Sequence, residues 1–492
     1  MPHLQTRESL TSRSVGGCCA KVCFFGFGGV IATVGLLLCL LWPLLTGRLI
    51  GSQLALTKGS RSYEMWAETP IPMYFKIYMF NWTNPNTSLH GPERPAFTQL
   101  GPYVFTEHHS KKNVTYNDNN NTITYLNQKQ WHFIPEMSNG TLSDRVTNLN
   151  VVAMTVGWYC LSLKKWERMI VNGILSLHLL NEGLVKTDTV GNLLFDGSND
   201  KLLSILHLLK PYIKTLPDMD KFGWFYKRNM SSTADGVFTM GSGLGSIDDL
   251  GLMTAWNYRN RSVYPGECGR IHGTYGEEFP PNSVYQSDIT LYANDLCSVL
   301  NLKRQKASSV MGIPSVLFAG GSDVFSNSTT CYCRNSSACP ASGVRDLGLC
   351  NGSPAMVSWP HFYLADPSYR NAVVGMNPDA EHHQFYMNMA EVTSVPLVVR
   401  GRMQLNILMQ TVPDIDLYKN IKWTVMPMMW FSQEADLTPE LASQMGVLVQ
   451  LVNWGRWVLL TGGVVGLFLV LIGLVLHFRG TLRTNDDDRL LQ

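Results

Sequence analysis

The sequence predicts an α+β domain bracketed by two membrane-spanning helices. Three observations carry that expectation. Two long uncharged apolar runs lie near the ends of the 492 residues. Between them the hydrophobic periodicity changes from strand to helix and back to strand. Ten Asn-x-Ser/Thr sequons occur, all in the stretch between the runs.

Residues 1–23 form a short N-terminal tail. The run FFGFGGVIATVGLLLCLLWPLL, Phe24 to Leu45, contains no Asp, Glu, Lys or Arg. A helix of about 20 such residues crosses a hydrocarbon layer of about 30 Å. The span is placed at 24–46, with Pro43 as its terminator. The competing reading is a cleaved signal peptide. Against it, the apolar core exceeds the usual ~7–15 residues, and bulky residues follow it where small ones are needed. Cys18, Cys19 and Cys23 sit at the edge of the span, a position where cysteines are palmitoylated; the plain alternative is small residues beside a membrane. WVLLTGGVVGLFLVLIGLVLHF, Trp457 to Phe478, is the second span, and residues 479–492 are the C-terminal tail.

Charge does not orient the chain, because Arg7, Arg13 and Lys21 precede the first span while Arg48, Lys58 and Arg61 follow it. The sequons do. Asn81, Asn86, Asn113, Asn120, Asn139, Asn229, Asn260, Asn327, Asn335 and Asn351 all fall within residues 47–456. Glycans mark a luminal or extracellular surface, so both termini are expected in the cytosol of a two-span protein.

That compartment decides the cysteines. CYCRNSSAC, residues 331 to 339, could be half a zinc site or a set of disulfides. An oxidising compartment favours disulfides. Six cysteines between 268 and 350 suggest three bridges, and sequence alone allows 15 pairings. Cys39 lies in the first span. Cys160 is left over on an apolar helical stretch, as a buried thiol.

Within the domain, PMYFKIYMFNWTNP reads as a strand ended by Asn84-Pro85. GPYVFTEHHSKKNVTYNDNNNTITYL reads as two strands around an Asn-rich turn. Residues 150–215 read as helix: Trp166, Ile170, Gly173, Leu177, Leu180 and Leu184 recur at helical spacing, and NDKLLSILHLLKP follows with Asn199 or Asp200 as cap and Pro211 as stop. Residues 220–300 return to short strands. RGRMQLNILMQ alternates, with Arg400, Arg402, Gln404 and Asn406 on one face and Met403, Leu405, Ile407 and Met409 on the other, the pattern of a half-buried strand.

Several functions are excluded or unsupported. A net charge of +2 gives no basis for nucleic-acid binding. No G-x-S-x-G or H-E-x-x-H occurs, and GSGLGS at 241–246 reads as a turn. His108-His109 and His382-His383 are adjacent pairs, which on a strand face opposite ways. No catalytic residue, cofactor or metal is expected, and the chain is not read as an enzyme. Lys164, Lys165 and Arg168 form a local cationic patch, or simply a solvated helix face. Met169, Ile174, Leu175 and Leu179 widen the apolar stripe beside them beyond one face. Such a helix is packed on several sides, or it offers an apolar patch to a ligand or partner.

FNWTNP (80–85), GPYVF (101–105), TADGVF (233–238), GTYGEEFPP (273–281), DLCSVL (295–300), WPHFYLADP (359–367) and GMNPDAEHH (375–383), spread over nearly the whole domain, resemble the class B scavenger receptor family. That family includes fatty-acid and lipoprotein scavenger receptors, the lysosomal integral membrane protein type two and insect sensory-neuron membrane proteins. The resemblance implies an antiparallel β-barrel core, an apical helical bundle over 150–215 and an internal lipid tunnel leading to the bilayer. It implies bridges Cys268–Cys331, Cys297–Cys350 and Cys333–Cys339 within the disulfide-rich segment 268–350. It places ligand recognition at the apical helices, with Lys164, Lys165, Arg168, Met169, Leu175 and Leu179 as the residues to contact ligand.

Two functions compete. One is a plasma-membrane or endolysosomal receptor for fatty acids, sterols, carotenoids or lipoprotein lipid. The other is a trafficking receptor for a luminal protein, to which the tail NDDDRLLQ speaks: Asp486, with Leu490 and Leu491, fits the acidic dileucine pattern read by clathrin adaptors. Self-association is compatible with either. A third reading, a two-span ligand-gated channel, is disfavoured because neither span carries a charge.

Overall fold

A computed structural model describes the backbone of residues 9–178, 183–203, 220–328, 330–334 and 339–489, and the side chains of 24–176, 183–203, 220–328, 330–334 and 339–479. Cys18, Cys19, Cys23, Leu179, Asn335, Asp486, Leu490 and Leu491 lie outside the described side chains. The chain divides into two units. Residues 1–52 and 439–492 form one, and Gln53–Thr438 the other.

The first unit is two helices, Ser9–Leu54 and Pro439–Arg489. Within them, Phe24–Leu54 and Pro439–Arg479 are long and apolar enough to cross a membrane. They meet along small residues. A Cβ on Gly35 would stand 2.7 Å from the Gly463 nitrogen, and one on Gly466 would stand 2.4 Å from the Ala32 nitrogen. Close backbone approach of this kind is how helices associate where no hydrophobic force acts between them. Pro43 does not end the first helix, as the sequence suggested; it lies inside it. Apolar surroundings hold the helix together there, and the neighbouring Trp42 indole donates to the Val452 carbonyl at 3.0 Å.

The second unit is built on a 13-stranded antiparallel sheet. In chain order the strands are β1 (Met73–Trp82), β2 (Phe97–Asn117), β3 (Thr122–Phe133), β4 (Arg145–Leu149), β5 (Val185–Thr189), β6 (Val237–Gly241), β7 (Met253–Trp256), β8 (Asp288–Ala293), β9 (Ser298–Val310), β10 (Ile313–Gly320), β11 (Val344–Asp346), β12 (Ala355–Ser358), β13 (Tyr386–Ala390), β14 (Pro396–Met409) and β15 (Thr424–Asp436). The main order is β7-β6-β3-β2-β1-β15-β14-β13-β10-β9-β8, with β12 on β14 and β11 on β12, while β4 and β5 form a separate hairpin. Thr274 bridges to Leu252, just before β7, and to Leu291 in β8. One residue of the GTYGEEFPP stretch thus joins the two edges, and the sheet is a nearly closed barrel.

Two expectations change. Residues 150–215 are not helix throughout. Val151–Cys160 and Lys165–His178 are helices, but Val185–Thr189 is a strand paired with β4. Its Val-Lys-Thr-Asp-Thr composition favours extended chain, and the partner strand lies far back in the sequence. Helical spacing therefore ends before Leu184, which is buried outside either helix. The second change concerns β14. Its polar face is not turned to water: Gln404 and Asn406 are fully buried and bonded to each other at 2.7 Å, and Asn406 also reaches Ser358 Oγ at 3.1 Å. The His361 segment packs on that face, its N–H donating to Gln404 Oε1 at 2.7 Å, so alternation marked two packed faces rather than one.

Candidate functional site

Along β1, Phe75, Ile77 and Met79 point to one side, as every second strand residue must. Tyr103 and Phe105 of β2, Trp131 of β3 and Met429 of β15 join them in one buried cluster with Val190, Leu194 and Phe225. The rings interlock: Phe75 lies 5.3 Å from Phe225, 5.2 Å from Phe431 and 6.0 Å from Trp131, and Phe195 lies 5.0 Å from Phe105. A second apolar cluster on the same face of the sheet holds Ile123, Tyr125, Phe238, Met240 and Leu250.

A belt of ionisable groups lies between these clusters. Glu107, His109 and Lys111 occupy alternate positions of β2, opposite Trp131, Lys129 and Asn127 of β3. His109 Nε2 meets Glu107 Oε1 at 2.7 Å and its Nδ1 meets Glu277 Oε1 at 3.1 Å. Lys111 Nζ bonds Glu277 and Asn127 at 2.7 and 2.9 Å, and its ammonium lies within 6.0 Å of the rings of Trp66, Tyr125 and Tyr275. Lys129 pairs with Asp235 at 2.9 Å, and Arg228 joins Asp235 to Asp295. Burial alone would raise the Glu107 and Glu277 carboxyls. At Glu107, His109, Lys129 and Gln433 together outweigh it, and Lys111 with His109 draws Glu277 down to about 2. Burial works against a charged His109, yet its two glutamates raise its pKa. Glu278, by contrast, is pushed up to about 8 by burial and by the charge of Glu277. The adjacent pair His108-His109 does not by itself point to this belt. The informative signal was the ionisable residue at every second position, 107, 109 and 111, on one face of a strand.

Of the residues expected to contact ligand, Lys164 and Lys165 are exposed, and so is Met169 at 61%. Trp166 (55%) and Ile170 (38%), on the same helix, are exposed with it. Leu175 is not available: it packs in the main core. Arg168 is not a free cation either. Its guanidinium donates to Asp414 at 2.8 and 3.1 Å and to the Leu163 carbonyl at 2.6 Å, which pins the helix to the 414–416 loop. Periodicity placed both on a helix but could not say which part of its circumference the fold covers.

Cys268–Cys331, Cys297–Cys350 and Cys333–Cys339 are bonded. Cys160 is buried, and burial pushes its thiol up to about 12. Asn86, Asn113, Asn120, Asn139, Asn229, Asn260 and Asn351 are exposed, and Asn81 and Asn327 are half-buried. At Asn327 the amide nitrogen, to which a glycan attaches, donates to the carbonyls of Pro340, Ala341 and Val344. His383 stands in a short helix, Ala380–His383, rather than on a strand, and its ring stacks on His361 at 4.4 Å.

Two cavities adjoin these parts. One of about 20 Å³, room for a water molecule or two, is lined by Met79, Asn148, Lys186, Leu193, Trp224 and Met428 among others. The other is an open groove of about 650 Å³ lined by Met65, Ile71, Met73, Tyr74, Glu107 and His108 among others.

The sequence is similar to Protein peste of Drosophila melanogaster, 33% identical over 464 residues that cover 91% of this chain and 81% of that protein. It is similar to scavenger receptor class B member 1 of Mus musculus, 30% identical over 452 residues, 90% of this chain and 86% of that protein. It is also similar to lysosome membrane protein 2 of Homo sapiens, 28% identical over 441 residues, 87% and 89% of the two chains. The model of the CD36 family matches residues 26–477, which takes in both apolar helices and the whole barrel unit. The chain belongs to the CD36 family.

Proposed function

We propose that the chain is a two-span membrane receptor for apolar ligands, with residues 47–456 luminal or extracellular and both tails cytosolic. Ligand is captured on the exposed side of the Lys165–His178 helix, and lipid passes inside the barrel toward the bilayer. No chemical step is assigned to it. The observation that carries the reading is the exposed strip Trp166, Met169 and Ile170, flanked by Lys164 and Lys165. Large apolar side chains held out to water in a row serve binding rather than folding. A sheltered route answers a real cost, since each CH₂ exposed to water costs about 0.8 kcal/mol, or about 12 kcal/mol for a C16 chain. The fatty acids, sterols and lipoprotein lipids named above are the ligands this chemistry fits. In the test, Trp166→Asp combined with Met169→Asp lowers uptake of labelled lipid from lipoprotein particles into expressing cells at least tenfold, at unchanged surface level. Uptake at the original rate refutes capture on this strip.

The tail favours a second role, carriage of a luminal protein to an endolysosomal membrane, through Asp486, Leu490 and Leu491 read by clathrin adaptors. Changing Leu490 and Leu491 to Ala is expected to move most of the protein to the cell surface, measured by surface biotinylation. Unchanged internal residence removes the sorting role. Lipid or protein retained through purification separates the two readings.

A further inference from the structure

β9 and β10 are joined by a two-residue loop, Met311–Gly312, closed by the Val310–Ile313 pair. Both loop residues have positive φ, 48° and 80°. A turn of this kind favours Asn-Gly, because left-handed backbone is strained for longer side chains. Methionine stands there instead, and the fold does not cover it: Met311 is 58% exposed. Strain kept under an exposed apolar side chain points to a contact outside the barrel. The strand registers say at which end that contact lies. Lys306 pairs with Leu317, Leu317 with Asn388, Asn388 with Val398 and Val398 with Asp436. Asp436 ends β15, and the second apolar helix begins at Pro439. Met73, where the chain coming from the first helix enters β1, pairs with Ala435 at the same end. Met311 lies five residues past Lys306, which is about 16 Å further along the strand. The hairpin tip therefore projects beyond the sheet at the end where the chain joins both apolar helices.

The flanks of the tip are basic. No Asp or Glu occurs between Asp295 and Asp323. Lys303 is matched by Asp323 at 3.2 Å, but Arg304 and Lys306 are exposed and have no acidic partner among the described residues. Tyr285, 64% exposed, belongs to the same end. Its neighbour Val284 donates its N–H to Ser394 Oγ at 3.2 Å, in the turn between β13 and β14, and the nearby Ser287 carbonyl accepts the Arg304 N–H at 2.9 Å. An apolar tip, an amphipathic ring and unmatched cations fit the three layers of a bilayer interface: acyl chain, headgroup level and phosphate. We propose that the β9–β10 hairpin is a further membrane contact of this chain, with Met311 inserted at the interface and Arg304 and Lys306 on lipid phosphates. The inference rests on the spanning part of the receptor reading and adds a lipid contact made by the barrel itself.

The test places the full-length chain, one copy per disc, in phosphatidylcholine nanodiscs with or without a nitroxide on the lipid headgroup. Cys18, Cys19 and Cys23 are changed to Ser, and a fluorophore is attached at Met311→Cys. The reference is Lys165→Cys, on the helix bonded to the 414–416 loop, which lies at the opposite end of β14 and β15. The label at 311 is expected to lose about half of its fluorescence to the nitroxide lipid, and the label at 165 almost none. Arg304→Glu combined with Lys306→Glu is expected to restore about half of that loss. A label at 311 quenched no more than the label at 165, in a chain seated in the disc, overturns the hairpin contact and spares the spanning reading. Quenching that ignores the charge reversal overturns the pairing with phosphates. A label at 311 that is shielded only in discs holding two chains gives the tip to a second copy and overturns the lipid contact. A chain that does not enter the discs overturns both readings.

Discussion

Lys111→Met will destabilise the barrel unit by about 3–5 kcal/mol, read from denaturant unfolding of the full-length protein. The Lys111 side chain has no solvent exposure, and its ammonium is matched by Glu277, the Asn127 amide oxygen and three ring faces. Methionine fills much the same space, so little of the loss comes from packing. The loss comes from the Glu277 carboxylate, drawn down to about 2 by Lys111 and His109, which is left mostly out of water, at 23% side-chain exposure, with one partner fewer. Adding Glu277→Gln to Lys111→Met removes that stranded charge, so the double variant is expected to lose less than Lys111→Met alone. A single variant within 1 kcal/mol of wild type, against an expected loss of about 3–5, would show that water reaches the belt and screens it.

The second large effect is acid lability at the paired imidazoles. Burial, aided by His383 alongside, brings His361 down to about 3, and burial brings His383 down to about 4. The hydrogen bonds agree: His361 Nδ1 accepts the Asn377 N–H at 3.1 Å, and His383 Nδ1 accepts the Asp379 N–H at 2.8 Å. A proton on either nitrogen would break its bond. A histidine depressed in the fold contributes stability that is fully present above its unfolded pKa of about 6.5 and is lost as pH falls toward the folded value. Between pH 7 and pH 5 each ring therefore costs about 2 kcal/mol. His109 and Glu278, both raised, act in the opposite sense and are most favourable in acid. The clean readout is thus a difference between proteins. His361→Gln and His383→Gln should each flatten the decline in stability from pH 7 to pH 5 by about 2 kcal/mol. A variant with the wild-type pH slope would mean that the rings protonate freely in the fold.

The strands of the first third were legible because alternation and the Asn-rich turn are local signals: β1, β2 and β3 fall where the aromatic and β-branched residues alternate. Both spans were legible from length and lack of charge. Pro43 misled, because a proline ends a helix in water but not in an apolar surrounding with a second helix against it. Residues 185–189 misled because their strand depends on β4, which windowed periodicity does not see. The Lys165–His178 helix was legible as a helix, while the burial of Leu175 and the pairing of Arg168 with Asp414 were not. The second depends on a loop that lies more than 200 positions further along the chain. The charge belt was missed for a similar reason. Glu107, His109 and Lys111 gain meaning only when Glu277 is brought beside them, by the same stretch that closes the barrel.

The Trp42–Val452 contact spans 410 positions, and that separation sets an order of manufacture. Synthesis proceeds from the N-terminus, and domains fold as units while it does so. The first apolar helix is complete when almost none of the barrel exists, and its partner emerges after nearly all of it. Most of the barrel's strands therefore emerge while only one helix exists, and β15, which pairs with β1 and β14, emerges immediately ahead of the second. Termination anywhere before residue 439 would yield a product with only the first of the two apolar helices, whose glycine seam has nothing to close upon.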